Sequence, residues 1–256
     1  MRIYTILPLF ALALTGISSG AGYSTNFNSG YDSSQAVAGQ NGWTINDSTT
    51  DLSFFVTYNT TDAAAIGGYY TSPALGNVRL SHSLSLPLVQ TSLGADFAIV
   101  PSTVTFPGRD TFGWSVYNGS GLNLLTIQFE PDSVNQTLLN ITWSTGAGSA
   151  TTTGWAVQYD GPYSLQVAFA SGGGSDATFT ASITGANTVS FNGSLPGMAN
   201  ETVGSIGQHF VQQAAAAGDN YMLFDNLSVV PEPSTGALLL TLLMLPLAAR
   251  RRKAAF

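Results

Sequence analysis

Between residues 22 and 230 strand-like runs follow one another, and in several of them hydrophobic positions recur at every second residue. Phe112, Trp114 and Val116 fall on one side of an extended chain, and Leu165, Val167 and Phe169 repeat the pattern. A period of two sends neighbouring side chains to opposite faces of a strand, which suits a sheet with one face buried. Strands are predicted over 52–58, 78–86, 96–100, 111–117, 122–130, 137–143, 163–170, 177–183 and 221–229. Turn clusters separate them, among them Asn118-Gly119-Ser120-Gly121, Gly146-Ala147-Gly148-Ser149 and Ser171-Gly172-Gly173-Gly174-Ser175. No run here keeps a helical period; Ala214–Ala217 allows one turn before Gly218 stops it. Many short strands joined by turns predict an all-β antiparallel sandwich or barrel. No fixed-period repeat and no long linker divides the region, so 22–229 reads as one domain.

Both ends break this pattern. Arg2 precedes an apolar run over 3–17, and small residues follow, Ser18-Ser19-Gly20-Ala21. That is the order of a secretory signal, so residues 1–21 are expected to be a signal peptide cleaved after Ala21. The run is short for a permanent membrane span. At the other end, 230–256 holds Pro231, Glu232 and Pro233, an apolar run over 237–249, and then Arg250, Arg251, Arg252 and Lys253. A transmembrane helix over 234–249 would reach only about 24 Å, less than the roughly 30 Å hydrocarbon core. The basic cluster can snorkel to headgroups and marks the cytoplasmic side, which leaves the domain outside the inner membrane.

The tail resembles the PEP-CTERM sorting signal of Gram-negative bacteria that make exopolysaccharide. The resemblance rests on Pro231-Glu232-Pro233, the apolar stretch and the terminal basic cluster, in that order. It implies an exosortase partner, a membrane transpeptidase-like enzyme that reads the tail near Pro231–Pro233 and removes it. It also implies transient anchoring in the inner membrane, followed by residence in the cell envelope, at the cell surface or in the extracellular matrix.

Charge narrows the partners. Of seven Lys and Arg, five lie at the two ends. Residues 22–232 keep only Arg79 and Arg109 against fourteen acids, a formal charge of −12. Nucleic acid needs clustered Lys and Arg and is excluded as an expected partner. An acidic surface suits divalent cations or neutral ligands better. The chain has no Cys, which removes thiol catalysis and disulfides.

A second resemblance spans most of the domain. Phe27-Asn28-Ser29-Gly30-Tyr31 and Gly39-Gln40-Asn41-Gly42-Trp43 stand near the start. Asp110-Thr111-Phe112-Gly113-Trp114-Ser115-Val116 stands in the middle, and 219–227 closes the domain with Asp219, Asp225 and Asn226. This ordering resembles the concanavalin A-like lectin/glucanase (LamG-like) jelly rolls. It implies two stacked antiparallel sheets with the first and last strands adjacent, and carbohydrate as the ligand class.

Catalytic chemistry is hard to find. Glycan hydrolysis normally uses two facing carboxylates. The nearest approach to the glucanase strand motif is Glu130-Pro131-Asp132-Ser133-Val134-Asn135, where Asn135 replaces the second Glu and Pro131 is expected to interrupt the strand. His82 and His209 come with no Gly-x-Ser-x-Gly elbow and no His-Glu-x-x-His, and are expected to face solvent. No catalytic residue is assigned and no cofactor is expected, save a candidate structural calcium at Asp219, Asp225 and Asn226, with Asn26 and Asn28 nearby. The competing reading is that these side chains bond to neighbouring backbone. Trp114 and Trp143 are expected in the core. Tyr69, Tyr70, Trp155 and Tyr159 are the candidate glycan contacts, since flat rings stack on sugars. The expected function is a non-enzymatic glycan-binding or structural surface protein. The alternatives are a divergent hydrolase of the glucanase type and an envelope component without ligand.

Overall fold

The computed structural model of the chain describes residues 22–46, 52–58, 61–67, 77–101, 109–146, 148, 150–211 and 220–231. The signal segment, the 214–217 turn, Asp219, Tyr69, Tyr70 and the tail after Pro231 lie outside them. Fifteen strands occur among the described residues, and they stack as two antiparallel sheets. The first sheet runs β13 (Thr188–Leu195), β12 (Asp176–Thr184), β11 (Tyr163–Gly173), β6 (Thr91–Val100), β15 (Tyr221–Pro231), β4 (Thr61–Gly67) and β3 (Ser53–Tyr58) in spatial order. β1 (Tyr23–Thr25) also pairs with β15, Tyr23 opposite Val229, so first and last strands are adjacent as expected. The second sheet runs β10 (Thr151–Gln158), β9 (Leu138–Ser144), β8 (Asn123–Pro131), β7 (Thr111–Asn118), β14 (Thr202–Val211), β5 (Asn77–Pro87) and β2 (Trp43–Ile45). Among the described residues there is no α-helix, and none long and apolar enough to cross a membrane.

The alternating positions do what their period requires. Phe112, Trp114 and Val116 of β7 and Leu165, Val167 and Phe169 of β11 are all buried in one core between the sheets. Aromatic rings tie the layers together. Phe97 of β6 meets Phe129 of β8 with centroids 4.9 Å apart. Trp114 meets Phe224 of β15 edge-on at 5.4 Å. Trp43 and Phe27 close on the same Phe224 at 5.5 and 5.0 Å. Edge-to-face and offset contacts of this kind add to plain area burial. The domain has no disulfide, so this core carries its stability.

Several strands do not stand out in the sequence. β4 is Ala-rich, and β13 and β14 carry Gly at interior positions, which lowers strand propensity; pairing on both sides supplies the ladder for β4 and β14, and β12 alone supplies it for the edge strand β13. Pro131 does not interrupt β8; it is its last residue, where a missing donor costs least. One core position departs from the apolar pattern. Gln208 of β14 points inward opposite Trp114, fully buried, and neither amide atom has a hydrogen-bond partner.

Candidate functional site

Because Phe112, Trp114 and Val116 turn inward, Gly113, Ser115 and Tyr117 of β7 face outward. The register carries that outer row across the second sheet. Arg79 of β5 lies opposite His209 of β14, His209 opposite Gly113, Gly113 opposite Gln128 of β8, and Gln128 opposite Thr142 of β9. Ser115 lies opposite Thr126 in the next row.

His209 is only 1% exposed, which corrects the expectation that it faces solvent. The ring lies over Gly113, where an added Cβ would sit 2.7 Å from His209 Cε1; only glycine lets the imidazole settle so close to the sheet. His209 Nδ1 is 2.9 Å from Ser115 Oγ, and Ser115 Oγ is 3.1 Å from Thr126 Oγ1. Asn123 Nδ2 donates to Thr126 Oγ1 at 2.5 Å. Asn123, Thr126, Ser115 and His209 Nδ1 thus form one hydrogen-bonded chain across β8, β7 and β14. His209 Nε2 is buried and has no hydrogen-bond partner. Burial, and then the charge of Arg79, lowers the imidazole pKa to about 4, so His209 is neutral at pH 7.

The Arg79 guanidinium sits over the Tyr117 ring, Cζ 4.2 Å from the centroid. Its Nε is buried without a hydrogen-bond partner. Both Arg79 and Tyr117 are part-exposed. Further along the face, Thr142 Oγ1 donates to Glu130 Oε1 at 3.2 Å. Asp132 is used in the turn after β8. It accepts from the backbone N–H of Asn135 at 2.6 Å, from Asn140 Nδ2 at 2.9 Å and from the backbone N–H of Val134 at 2.8 Å. Those bonds hold its carboxyl below the usual range. Glu130 and Asp132 therefore bond to separate partners rather than facing each other as an acid pair.

The remaining sequence candidates scatter. Trp155 lies in a bulge of the edge strand β10 next to Gly154, at φ +75°, and is 54% exposed. Tyr159 has Arg109 over one ring face at 4.8 Å, its hydroxyl is buried, and burial raises its pKa. Trp114 is core, and Trp143 packs edge-on against Phe179 at 5.0 Å. His82 also departs from the expectation of solvent exposure: it is half-buried and stacks on Tyr23 at 3.8 Å. At the calcium candidates, Asp225 lies opposite Asp96 across β15 and β6, and Asn226 Nδ2 donates to Asp96 Oδ2 at 2.9 Å. Burial, with a smaller contribution from Asp96, raises the Asp225 pKa. Calcium takes six to eight oxygens. Among the described residues no three His, Asp or Glu side chains converge. Asn28 Oδ1 instead accepts the backbone N–H of Asp62 at 2.9 Å. Sequence reasoning missed the Arg79–His209–Ser115 arrangement, because the three residues meet only through strand pairing.

The sequence matches no protein-family model and no curated relative. Solved structures share the architecture. A PL-14 alginate lyase from Aplysia kurodai superposes with a TM-score of 0.57 at 13% identity, covering 84% of this chain and 99% of that one. The CBM2 module of the evolved Dit protein of Lactobacillus casei BL23 phage J-1 gives 0.51 at 12% identity, covering 83% and 98%. Peanut lectin gives 0.50 at 10% identity, covering 82% and 97%. At these identities the likeness establishes the fold: a concanavalin-like jelly-roll sandwich, a scaffold that hosts both lectins and lyases.

Proposed function

We propose that this chain is an exported cell-envelope protein whose sandwich binds glycan without catalysis. The observation that carries the reading is the outer face of the second sheet. A row of polar side chains on β5, β14, β8 and β9, interrupted by Gly113 on β7, crosses the sheet there, the part-exposed Arg79 guanidinium is stacked on Tyr117, and exposed Trp155 lies on the sheet's edge strand. Alternating apolar ring faces and hydrogen-bonding groups match the two kinds of surface that a sugar presents. The lectin and carbohydrate-module neighbours support the choice of ligand class. Residues 1–21 would direct export. Pro231, Glu232 and Pro233, with the apolar run and basic cluster behind them, would hold the protein briefly at the inner membrane until an exosortase removes the tail. The protein would then remain at the surface or in an exopolysaccharide matrix. A bound calcium would order Asp225 and Asn226 without entering the chemistry.

The alginate-lyase neighbours keep a depolymerising enzyme as the second reading, and the Arg79, His209 and Tyr117 cluster is the observation that favours it. One assay separates the two. The purified protein is applied to an array of bacterial polysaccharides, with and without chelator, and the unbound polymer is sized afterwards. Retention of intact polymer is the expected result. Shortened chains would replace binding by catalysis, and no retention on any polymer would overturn the glycan reading.

A further inference from the structure

We infer that the outer face of the second sheet holds a carboxylate-reading subsite built on Arg79, so the glycan bound there carries uronic acid units. The inference rests on the glycan-binding reading above and names the chemistry of its ligand.

The starting point is an imbalance. Residues 22–232 hold fourteen acids and two arginines, yet Arg79 forms no ion pair with any of the acids among the described residues. Its side-chain contact is the Tyr117 phenol ring, which takes one face of the guanidinium and none of its N–H groups. Arg79 Nε is buried with no acceptor. A second unpartnered polar atom stands across the strand pair. His209 Nδ1 is engaged with Ser115 Oγ, and its Nε2 is buried and also without a partner. The two unpartnered nitrogens lie on adjacent strands, and the permanently charged guanidinium is a donor that calls for an oxygen acceptor.

Carboxylate fits better than hydroxyl for two reasons. Arginine offers a planar fork that matches a carboxylate's two oxygens. A neutral hydroxyl would leave the guanidinium charge uncompensated in a half-buried setting. The wider domain is acidic and would repel a densely charged polymer at long range, so the recognition is by contact, one sugar acid at a time.

Binding of the full-length protein in mild detergent is measured at physiological salt against four polymers: a polyuronate, the same polymer with its carboxyls reduced, dextran sulfate and dextran. The expected result is retention on the polyuronate, with at least about tenfold weaker binding after carboxyl reduction and no tight binding to dextran sulfate. Arg79→Gln should lose the same factor, and Arg79→Lys should recover only part of it, because an ammonium cannot supply the fork. Thermal unfolding of each variant confirms that it folds. The carboxyl-reduced arm uses unaltered protein, so the test stands even if a variant does not fold. Equal binding to reduced polymer or to dextran overturns this subsite and leaves the glycan reading intact. Equal binding to dextran sulfate replaces carboxylate reading by general anion binding and overturns it too. Failure to bind any glycan overturns both.

Discussion

The buried imidazole of His209 makes stability depend on pH in a way that can be worked out in advance. His209 has an ordinary pKa of 6.5 and a folded value of about 4. The unfolded chain therefore takes up a proton that the folded chain refuses. Stability from the neutral imidazole is complete above about pH 6.5 and is lost as pH falls toward 4. The full difference is worth about 3 kcal/mol, and roughly 2.5 kcal/mol of it is gone at about pH 4.5. Urea unfolding of the native protein and of His209→Gln, each at about pH 7.5 and pH 4.5, isolates the effect. His82 shifts in the same direction, because burial lowers its pKa as well. The raised Asp225 has the opposite sign near pH 4, and the lowered Asp132 acts below it. All three are common to both proteins and cancel in the comparison. The native protein should lose about 2–3 kcal/mol more than the variant on acidification. Parallel losses would mean that the imidazole is hydrated or already paired, and would remove the basis for a buried Nε2 without a partner.

Three further outcomes follow from the packing. Phe129→Ala removes the ring that bridges the sheets against Phe97 and should cost about 3–5 kcal/mol in urea unfolding. Gln208→Met replaces an amide that lacks partners with an apolar side chain of similar volume, and should raise stability by about 1–2 kcal/mol, seen as a higher melting temperature. Trp155→Ala should leave unfolding within about 0.5 kcal/mol of native, since the ring is largely exposed, while weakening glycan binding by about three- to tenfold.

The sandwich was legible because its core obeys a period of two. Phe112-Gly113-Trp114 and Leu165-Gln166-Val167 announce their buried face without help from the rest of the chain. β14 was harder to see, because Gly204, Gly207 and Gln208 depress its local pattern, and its place in the sheet comes from pairing with β5 and β7 on both sides. The same non-local pairing hid the site. Arg79, Ser115 and His209 are separated by long stretches of chain, and no spacing rule joins them. His209 looks like a surface residue in sequence because polar neighbours flank its strand; burial on the outer face of a sheet leaves no mark in alternation. The aromatic candidates divided for a similar reason. Trp155 and Tyr159 sit four residues apart, yet a bulge at Gly154 turns one outward while Arg109 covers the other.

The central claim is that glycan binds on the second sheet, and hydroxyl-radical footprinting of the protein saturated with its best-retained polysaccharide tests it most directly. Oxidation of Trp155 and Tyr117 should fall by at least about threefold on binding, while Tyr163 and Tyr221 of the first sheet stay unchanged. Protection of Tyr163 and Tyr221 instead, or of none of the four, would contradict it.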